Sequence, residues 1–213
     1  MQTTHLNPII PGFEDFSLKF KNIITSKKWQ QAQNDFNISK NILTVGNGGN
    51  LAVCDHGAID IARLTNKNSS APGSGILASS LINDTSHDLW VKNWLAISMR
   101  SMSPQNKSET MLIGVSSSGY SKNICLALNL ALENNMQTLL ISAQEPKIKG
   151  EYNTIVLDVN EFHTSEVLTL SLGQYLGKIQ LVDLRLNEAI FKKEDKKFMI
   201  IDFNGQVREA DDY

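Results

Sequence analysis

Two short loops carry the residue types best suited to binding an anion. The glycine loop (Gly46–Asn50, GNGGN) follows the apolar run Ile42–Val45, and the serine loop (Ser116–Ser121, SSSGYS) follows the apolar run Met111–Val115. Glycine lets a backbone approach a ligand closely. Serine hydroxyls beside the N–H groups at the start of a helix suit a phosphate without a lysine. We therefore predict a phosphate site at the serine loop; the plainer alternative is a serine N-cap within a polar loop.

Neither loop matches a common nucleotide-binding motif. A dinucleotide fingerprint that uses Gly46 and Gly48 needs a third glycine where the sequence has Leu51. The phosphate loop of nucleotide triphosphatases needs Gly-Lys-Ser/Thr, which is absent from the sequence. A nucleotide is therefore not the expected ligand.

The apolar patterns around the loops predict the elements that position them. The predicted strands are Ile42–Val45, Ile76–Leu81, Met111–Val115, Thr138–Ser142 and Thr154–Val159. The predicted helices are Phe13–Phe36 (one or two helices), Leu51–Leu64, Asp88–Met102, Ser121–Asn134 and Ser165–Ala189, with loops at Thr65–Gly75 and Ser103–Ser108. Strands that alternate with helices favour a parallel sheet covered on both faces. Ligands of such sheets bind beyond the carboxyl ends of the strands, where both loops lie.

We accordingly predict an α/β fold, a three-layer sandwich of flavodoxin-like architecture with N-terminal helices and a short C-terminal hairpin. Residues 1–193 are expected to form one domain with an N-terminal helical extension, and residues 194–213 a tail. Within the tail, Asn204-Gly205 follows the run Phe198–Phe203, and Asn-Gly favours the tight turn of a β-hairpin.

Composition limits the expected partners. The chain has 213 residues, a formal net charge of -2 and scattered Lys and Arg, so nucleic acid is not expected. No apolar run reaches the roughly 18 residues of a membrane span, and residues 1–16 lack a signal-peptide pattern. The two cysteines, Cys54 and Cys125, fall in predicted helices and suit a reducing compartment. We expect a soluble, cytoplasmic protein.

The two loops together resemble those of sugar isomerase (SIS) domains, and most of all those of the phosphoheptose isomerases. Family strings are GNGGS, a helix reading D-x-x-H-x-x-x-E, and ISTSGNS-x-N; this chain has GNGGN, a helix with His56, and LIGVSSSGYSKN. Asp84-Thr85-Ser86 followed by Asn93 reproduces the family spacing between D-T-S and N-D. The resemblance covers about residues 10 to 190.

The resemblance implies a sugar-phosphate site. Its sugar side would be lined by Asn47, Gly48 and Asn50, and Asp84 would lie near the sugar hydroxyls. The phosphate would be held by Ser116, Ser117, Ser118 and Ser121. The family also implies a homo-oligomer, a tetramer or dimer, with active sites completed across subunit contacts.

The helix after the glycine loop is expected to carry chemistry on one face. His56, Asp60 and Arg63, spaced four and three apart, share a polar face, whereas Cys54 lies on the apolar stripe and is predicted to be core. His56 matches a family histidine that can bind zinc, and Asp60 stands in place of a catalytic glutamate. Because a zinc site needs three or four ligands, these two leave zinc as a hypothesis only.

The last long helix departs from the family pattern. Phosphoheptose isomerases carry further histidines there, whereas Thr164–Gly177 contains none. Aldose–ketose interconversion through an enediol needs a positioned base and acid. His163 and Glu166, at the start of that helix, and His87 are the available substitutes. The sequence thus supports a sugar-phosphate isomerase with altered catalytic residues, or a sugar-phosphate-binding, regulatory protein without catalysis.

Overall fold

A computed structural model describes residues 15–73, 75–146, 150–160, 162–176, 199–201 and 207–209. Their centre is a five-stranded, wholly parallel sheet of order β2-β1-β3-β4-β5. The strands are β1 (Asn41–Val45), β2 (Asn68–Ser70), β3 (Thr110–Val115), β4 (Gln137–Ser142) and β5 (Asn153–Val156). β1 pairs with β3 from Asn41↔Thr110 to Val45↔Gly114. The glycine and serine loops therefore leave the same edge of the sheet, side by side.

Helices cover both faces of the sheet. One face packs against α1 (Phe16–Ile24), α2 (Lys27–Ile38), α3 (Gly49–Leu64) and α8 (Phe162–Leu176). The other face packs against α4 (Gly75–Asp84), α5 (Trp90–Ser98) and α7 (Lys122–Glu133), and the short α6 (Pro104–Ser108) precedes β3. Alternate residues of β1 serve the two cores, with Ile42 in one and Leu43 in the other. The three-layer α/β sandwich expected from the sequence is confirmed.

The strand order places the two loops at a crevice. In a sheet of order 2-1-3-4-5, the direction of winding reverses between β1 and β3, and ligands bind beyond the carboxyl ends at that point. α3 leaves β1 toward one face, and α7 leaves β3 toward the other face. The glycine loop and the serine loop therefore diverge around a gap at the sheet edge.

Three predictions of secondary structure were wrong. Ile76–Leu81 is not a strand but part of α4, because a short apolar run does not by itself distinguish strand from helix. The predicted loop Thr65–Gly75 contains β2, whose backbone pairs with β1 although its side chains are polar. The predicted loop Ser103–Ser108 contains α6, where Ser103 Oγ accepts from Asn106 N at 3.1 Å and Pro104 opens the helix.

The C-terminal prediction is confirmed in the part of the tail that is described. β6 (Met199–Ile201) pairs antiparallel with β7 (Val207–Glu209). The Asn204-Gly205 turn, and the stretch of the last helix predicted beyond residue 176, lie outside the described residues. In the described part of the chain, no helix combines the length and apolar character needed to cross a membrane.

Candidate functional site

A cavity of about 230 Å³ opens at the carboxyl edge of the sheet. It lies among the segments that follow β3, β4 and β5, beside the first turn of α8. Its lining consists of Ser117, Ser118, Ala143, Gln144, Val159, Asn160 and Ser165. Since none of these residues is charged, a ligand would be held here by hydroxyls, amides and helix termini.

The serine loop contributes two of its four predicted ligands directly. Ser117 and Ser118 line the cavity. Ser116 is buried, and its hydroxyl donates to Ser121 Oγ at 2.8 Å and accepts from Ser121 N at 3.3 Å. Ser116 and Ser121 thus fix the shape of the loop, and a direct contact of either with phosphate stays a prediction.

Gly119 is required by the path of the serine loop. Its φ is +71°, and a Cβ atom there would lie 2.6 Å from Ser142 Oγ. The loop leads into α7, whose N-cap Ser121 makes no side-chain capping bond and whose first turn has no acidic residue. The positive potential of this helix end is therefore not offset by a carboxylate in its first turn, which favours an anion beside Ser117 and Ser118.

Amide side chains join the glycine loop to the serine loop and α7. Asn47 Nδ2 donates to Asn123 Oδ1 at 3.1 Å, and Asn123 Nδ2 donates to Asn47 Oδ1 at 2.7 Å. Asn50 Nδ2 donates to Ser117 Oγ at 3.0 Å. Because Ser117 Oγ accepts this bond, its proton can be directed to a ligand. Gly48, between Asn47 and Asn50 in the glycine loop, is the N-cap residue of α3.

Asn123 is the last residue of the motif LIGVSSSGYSKN, but the sequence analysis assigned it no role in the site. It is 1% exposed, and its amide completes the bridge to the glycine loop. Two signals could have assigned it: its place in that motif, and a polar amide on the otherwise apolar face of the helix that follows the serine loop. Such a buried amide needs hydrogen-bond partners, and the glycine loop provides them.

Glu166 places a carboxylate beside this joined pair of loops. An ideal Cβ built on Gly49, the first residue of α3, would lie 2.0 Å from Glu166 Oε1. Gly49 therefore leaves the space that the carboxylate occupies. Gly48, the N-cap of α3, makes no side-chain capping bond, and a carboxylate at a helix N-terminus is favourable. Ser165, which precedes Glu166 in α8, lines the cavity, whereas Glu166 is not among the lining residues and its carboxylate lies against the glycine loop at Gly49.

No protein-family model matches the sequence, and no curated protein sequence matches it significantly. Solved structures do match the fold. Phosphoheptose isomerase from Neisseria gonorrhoeae superposes with a TM-score of 0.64 at 18% identity, covering 78% of this chain and 91% of that chain. Phosphoheptose isomerase from Francisella tularensis gives a TM-score of 0.61 at 16% identity, covering 78% and 90%. The chain has the SIS, or sugar isomerase, fold.

A third SIS structure was solved with a ligand. It is the NanR protein of Vibrio vulnificus complexed with ManNAc-6P. It has a TM-score of 0.56 at 15% identity, and the match covers 84% of this chain and 66% of that chain. At these identities, the likenesses establish the SIS fold and leave the chemistry to the residues of this chain.

His56 and Asp60 form a pair away from the cavity of their own chain. His56 Nε2 lies 3.4 Å from Asp60 Oδ2, with the histidine side chain 59% exposed and the aspartate side chain 14% exposed. With a rise of 1.5 Å per residue, the two residues lie about 10 and 16 Å along α3 from Gly49. Neither residue lines the cavity, whereas the Glu166 carboxylate lies against Gly49 at the start of the helix.

Asp84 and its neighbours form a turn between α4 and α5. Asp84 ends α4 in an exposed position, accepts from Asn83 Nδ2 at 3.3 Å, and does not line the cavity. Asn93 Nδ2 donates to Thr85 Oγ1 at 3.0 Å. This local hydrogen bond explains the spacing between Asp84-Thr85-Ser86 and Asn93. A contact between Asp84 and sugar hydroxyls stays a prediction. The side chain of His163 lies outside the described residues.

The residues do not fit a zinc site. Within the described ranges, no three His, Cys, Asp or Glu side chains come together, so His56 and Asp60 supply only two ligands. Cys54 is buried in the core, as predicted from the helix pattern. Burial and the charge of Asp55 raise the pKa of its thiol well above the usual range, which opposes a thiolate ligand.

Proposed function

We propose that this protein interconverts the aldose and ketose forms of a phosphorylated sugar. The observation that carries the proposal is the Glu166 carboxylate, which lies against the glycine loop at Gly49, while Asn50 of the same loop donates to the cavity-lining Ser117. Transfer of a proton between adjacent sugar carbons needs a base near both carbons. Glu166 is our candidate for this base, because its carboxylate lies against the glycine loop.

The proposed roles follow from the positions of the side chains. The phosphate binds to Ser117, Ser118 and the N-terminal amides of α7, where hydroxyls and a positive potential meet. Asn47 and Asn50 hold the glycine loop against this site and border the sugar. Glu166 removes the proton from the hydroxyl-bearing carbon beside the carbonyl and delivers it to the former carbonyl carbon. The proton of the hydroxyl group passes to the former carbonyl oxygen through solvent water, so that the enediol intermediate and the product carry no unbalanced proton or charge.

The position of His56 and Asp60 along α3, away from the cavity, supports a second proposal about assembly. The pair is too far along α3 to serve its own cavity, so we propose that it acts at the cavity of a second copy of the chain. This role requires a homo-oligomer, a dimer or tetramer as the family resemblance implies. His163 stays a candidate acid, and a cytoplasmic location stays a prediction from cysteine use.

Binding without catalysis is the alternative, and one observation favours it. In α8, the described side chains at positions 164–173 include no histidine, so a second proton-transfer group beside Glu166 is not supplied from there. The serine loop and the amide hydrogen bonds that support it serve binding equally well in an isomerase and in a binding protein. The two functions differ only in whether a carbon-bound proton of the sugar exchanges with solvent.

Solvent deuterium exchange separates them. The wild-type protein is incubated in D₂O with pentose, hexose and heptose phosphates, sedoheptulose 7-phosphate included, while calorimetry measures binding. We expect deuterium at the carbon next to the carbonyl, and loss of about 10² to 10⁴-fold in rate for Glu166→Gln with binding retained. Asp60→Asn should also lower the rate if the pair serves a second copy. Glu133→Gln, at the far end of α7, is the matched control and should leave the rate unchanged.

A further inference from the structure

Gln144 and Asn160 form an amide bridge that the sequence analysis did not assign. Gln144 follows β4, and Asn160 follows β5, so the bridge lies on the opposite side of the serine loop from the glycine loop. Gln144 Nε2 donates to Val159 O at 2.7 Å and to Asn160 Oδ1 at 2.6 Å. Both side chains line the cavity.

The bridge leaves a defined set of polar atoms for a ligand. Both Nε2 protons of Gln144 are used within the bridge, which leaves Gln144 Oε1 as an acceptor. Asn160 uses Oδ1, which leaves its two Nδ2 protons as donors. Among the described residues, neither of these remaining groups takes part in another hydrogen bond. Gln144 Oε1 can accept from one hydroxyl of a ligand, and Asn160 Nδ2 can donate to the adjacent hydroxyl.

The backbone that carries the bridge is held at several points. Leu157 N donates to Ser142 O at 2.8 Å, and Val159 N donates to Ala143 O at 3.0 Å, so pairing with the β4 segment continues beyond β5. Asp158 between them has a φ of +54°, an uncommon conformation for a residue with a side chain. Lys19 of α1 donates to the carbonyl of Asp158 and lies 3.5 Å from its carboxylate. These contacts hold the backbone beside Gln144 and Asn160, so the two side chains are positioned before a ligand binds.

We propose that Gln144 and Asn160 bind adjacent hydroxyls of the sugar chain and determine which sugar phosphates are accepted. This inference rests on the proposed function, because it takes the phosphate to lie at Ser117 and Ser118. With the phosphate there, the sugar chain extends along the cavity toward the ends of β4 and β5. The substrate class of this site is a phosphorylated polyhydroxy aldehyde or ketone with at least one free vicinal diol.

Calorimetry on the full chain tests the inference. The ligands are inorganic phosphate, glycerol 3-phosphate and the pentose, hexose and heptose phosphates; the variants are Gln144→Met and Asn160→Ala. The control is Asn153→Ala, because Asn153 lies at the other end of β5 and donates to Lys28 O at 3.0 Å. Each test variant should bind the preferred sugar phosphate about tenfold more weakly, while phosphate affinity stays within about twofold. The control should change neither affinity.

The outcomes separate this inference from the proposed function. Unchanged sugar-phosphate affinity in both variants would overturn the inference and leave the isomerase proposal standing, provided that the wild type still exchanges deuterium. An equal loss for inorganic phosphate would also overturn it, because the bridge would then act only on the phosphate loop. A wild type that binds no sugar phosphate would overturn both. Melting temperatures within about 4 °C of wild type exclude unfolding as the cause of a loss.

Discussion

Replacing Gly49 by alanine adds one methyl group at the point where Glu166 meets α3. The new Cβ would lie 2.0 Å from Glu166 Oε1, and Gly49 has no positive φ that would strain an alanine. The obstacle is the end of a flexible side chain, so the carboxylate moves and the helix backbone stays in place. The substitution therefore displaces the proposed base without removing it.

The size of the effect follows from this distance. To reach an ordinary contact of 3.4 Å, the carboxylate must retreat by about 1.4 Å, and a misplacement of about 1 Å costs an enzyme about 10²-fold in rate. Stability should change little. Alanine gains about 0.4–1 kcal/mol from the unfolded state, and weakening the carboxylate at the helix end loses about 0.3–1 kcal/mol. The melting temperature should stay within about 4 °C of wild type.

Deuterium exchange, calorimetry and thermal unfolding together measure this prediction. Gly49→Ala should lose about 10²-fold in exchange rate with sugar-phosphate binding nearly intact. Gly57→Ala is the matched control: it lies on the same helix, and its added Cβ meets no atom within 4 Å. The control should gain about 0.5–1 kcal/mol of stability from helix propensity, with no loss of exchange. Full exchange activity in Gly49→Ala would refute the assignment of Glu166 as base.

Three further predictions concern the loop, the core and the buried thiol. Ser116→Ala removes the 2.8 Å bond to Ser121 and should weaken inorganic-phosphate binding measured by calorimetry, by up to about tenfold; unchanged affinity would contradict its role in shaping the loop. Leu140→Ala, at a fully buried position of β4, should cost about 2–5 kcal/mol in urea unfolding, and a cost below about 1 kcal/mol would contradict its core position. Cys54 should resist a thiol reagent at pH 8 until the chain unfolds. Because burial raises the pKa of the Cys54 thiol, the unfolded chain loses this proton before the folded chain does as the pH rises. The stability that the neutral thiol provides is therefore complete below about pH 8.5 and is lost as the pH rises further. A free energy of unfolding that stays constant between pH 8 and 10 would contradict this.

The elements beside the two loops could be predicted because their patterns are locally unambiguous. β1 and β3 are short, buried runs rich in β-branched residues and are followed by glycine or serine. The helices after them bury apolar residues at helical spacing. Ile76–Leu81 misled the prediction because a short apolar run fits a strand or a helix, and here Ala and Leu favour helix. β2 could not be predicted, since Asn68–Ser70 forms a strand through backbone pairing at the sheet edge.

The glycine and serine loops could be recognised in the sequence, but the positions of the catalytic candidates could not. His56 and Asp60 are close in sequence to the glycine loop and yet lie far along α3. Glu166 is distant in sequence and reaches Gly49 only because α8 packs beside α3. Gln144 and Asn160 meet through the pairing of β4 with β5. Such proximities depend on tertiary packing, which periodicity and spacing do not encode.

The central claim is that this SIS fold carries out aldose–ketose isomerisation and does not merely bind a sugar phosphate. The most direct measurement is mass spectrometry of ketose phosphates recovered after incubation with the wild-type protein in D₂O. The account predicts one deuterium at the carbon next to the carbonyl for at least one sugar phosphate, with the aldose isomer appearing alongside. Tight calorimetric binding without deuterium in any sugar of the panel would contradict it and establish a binding protein.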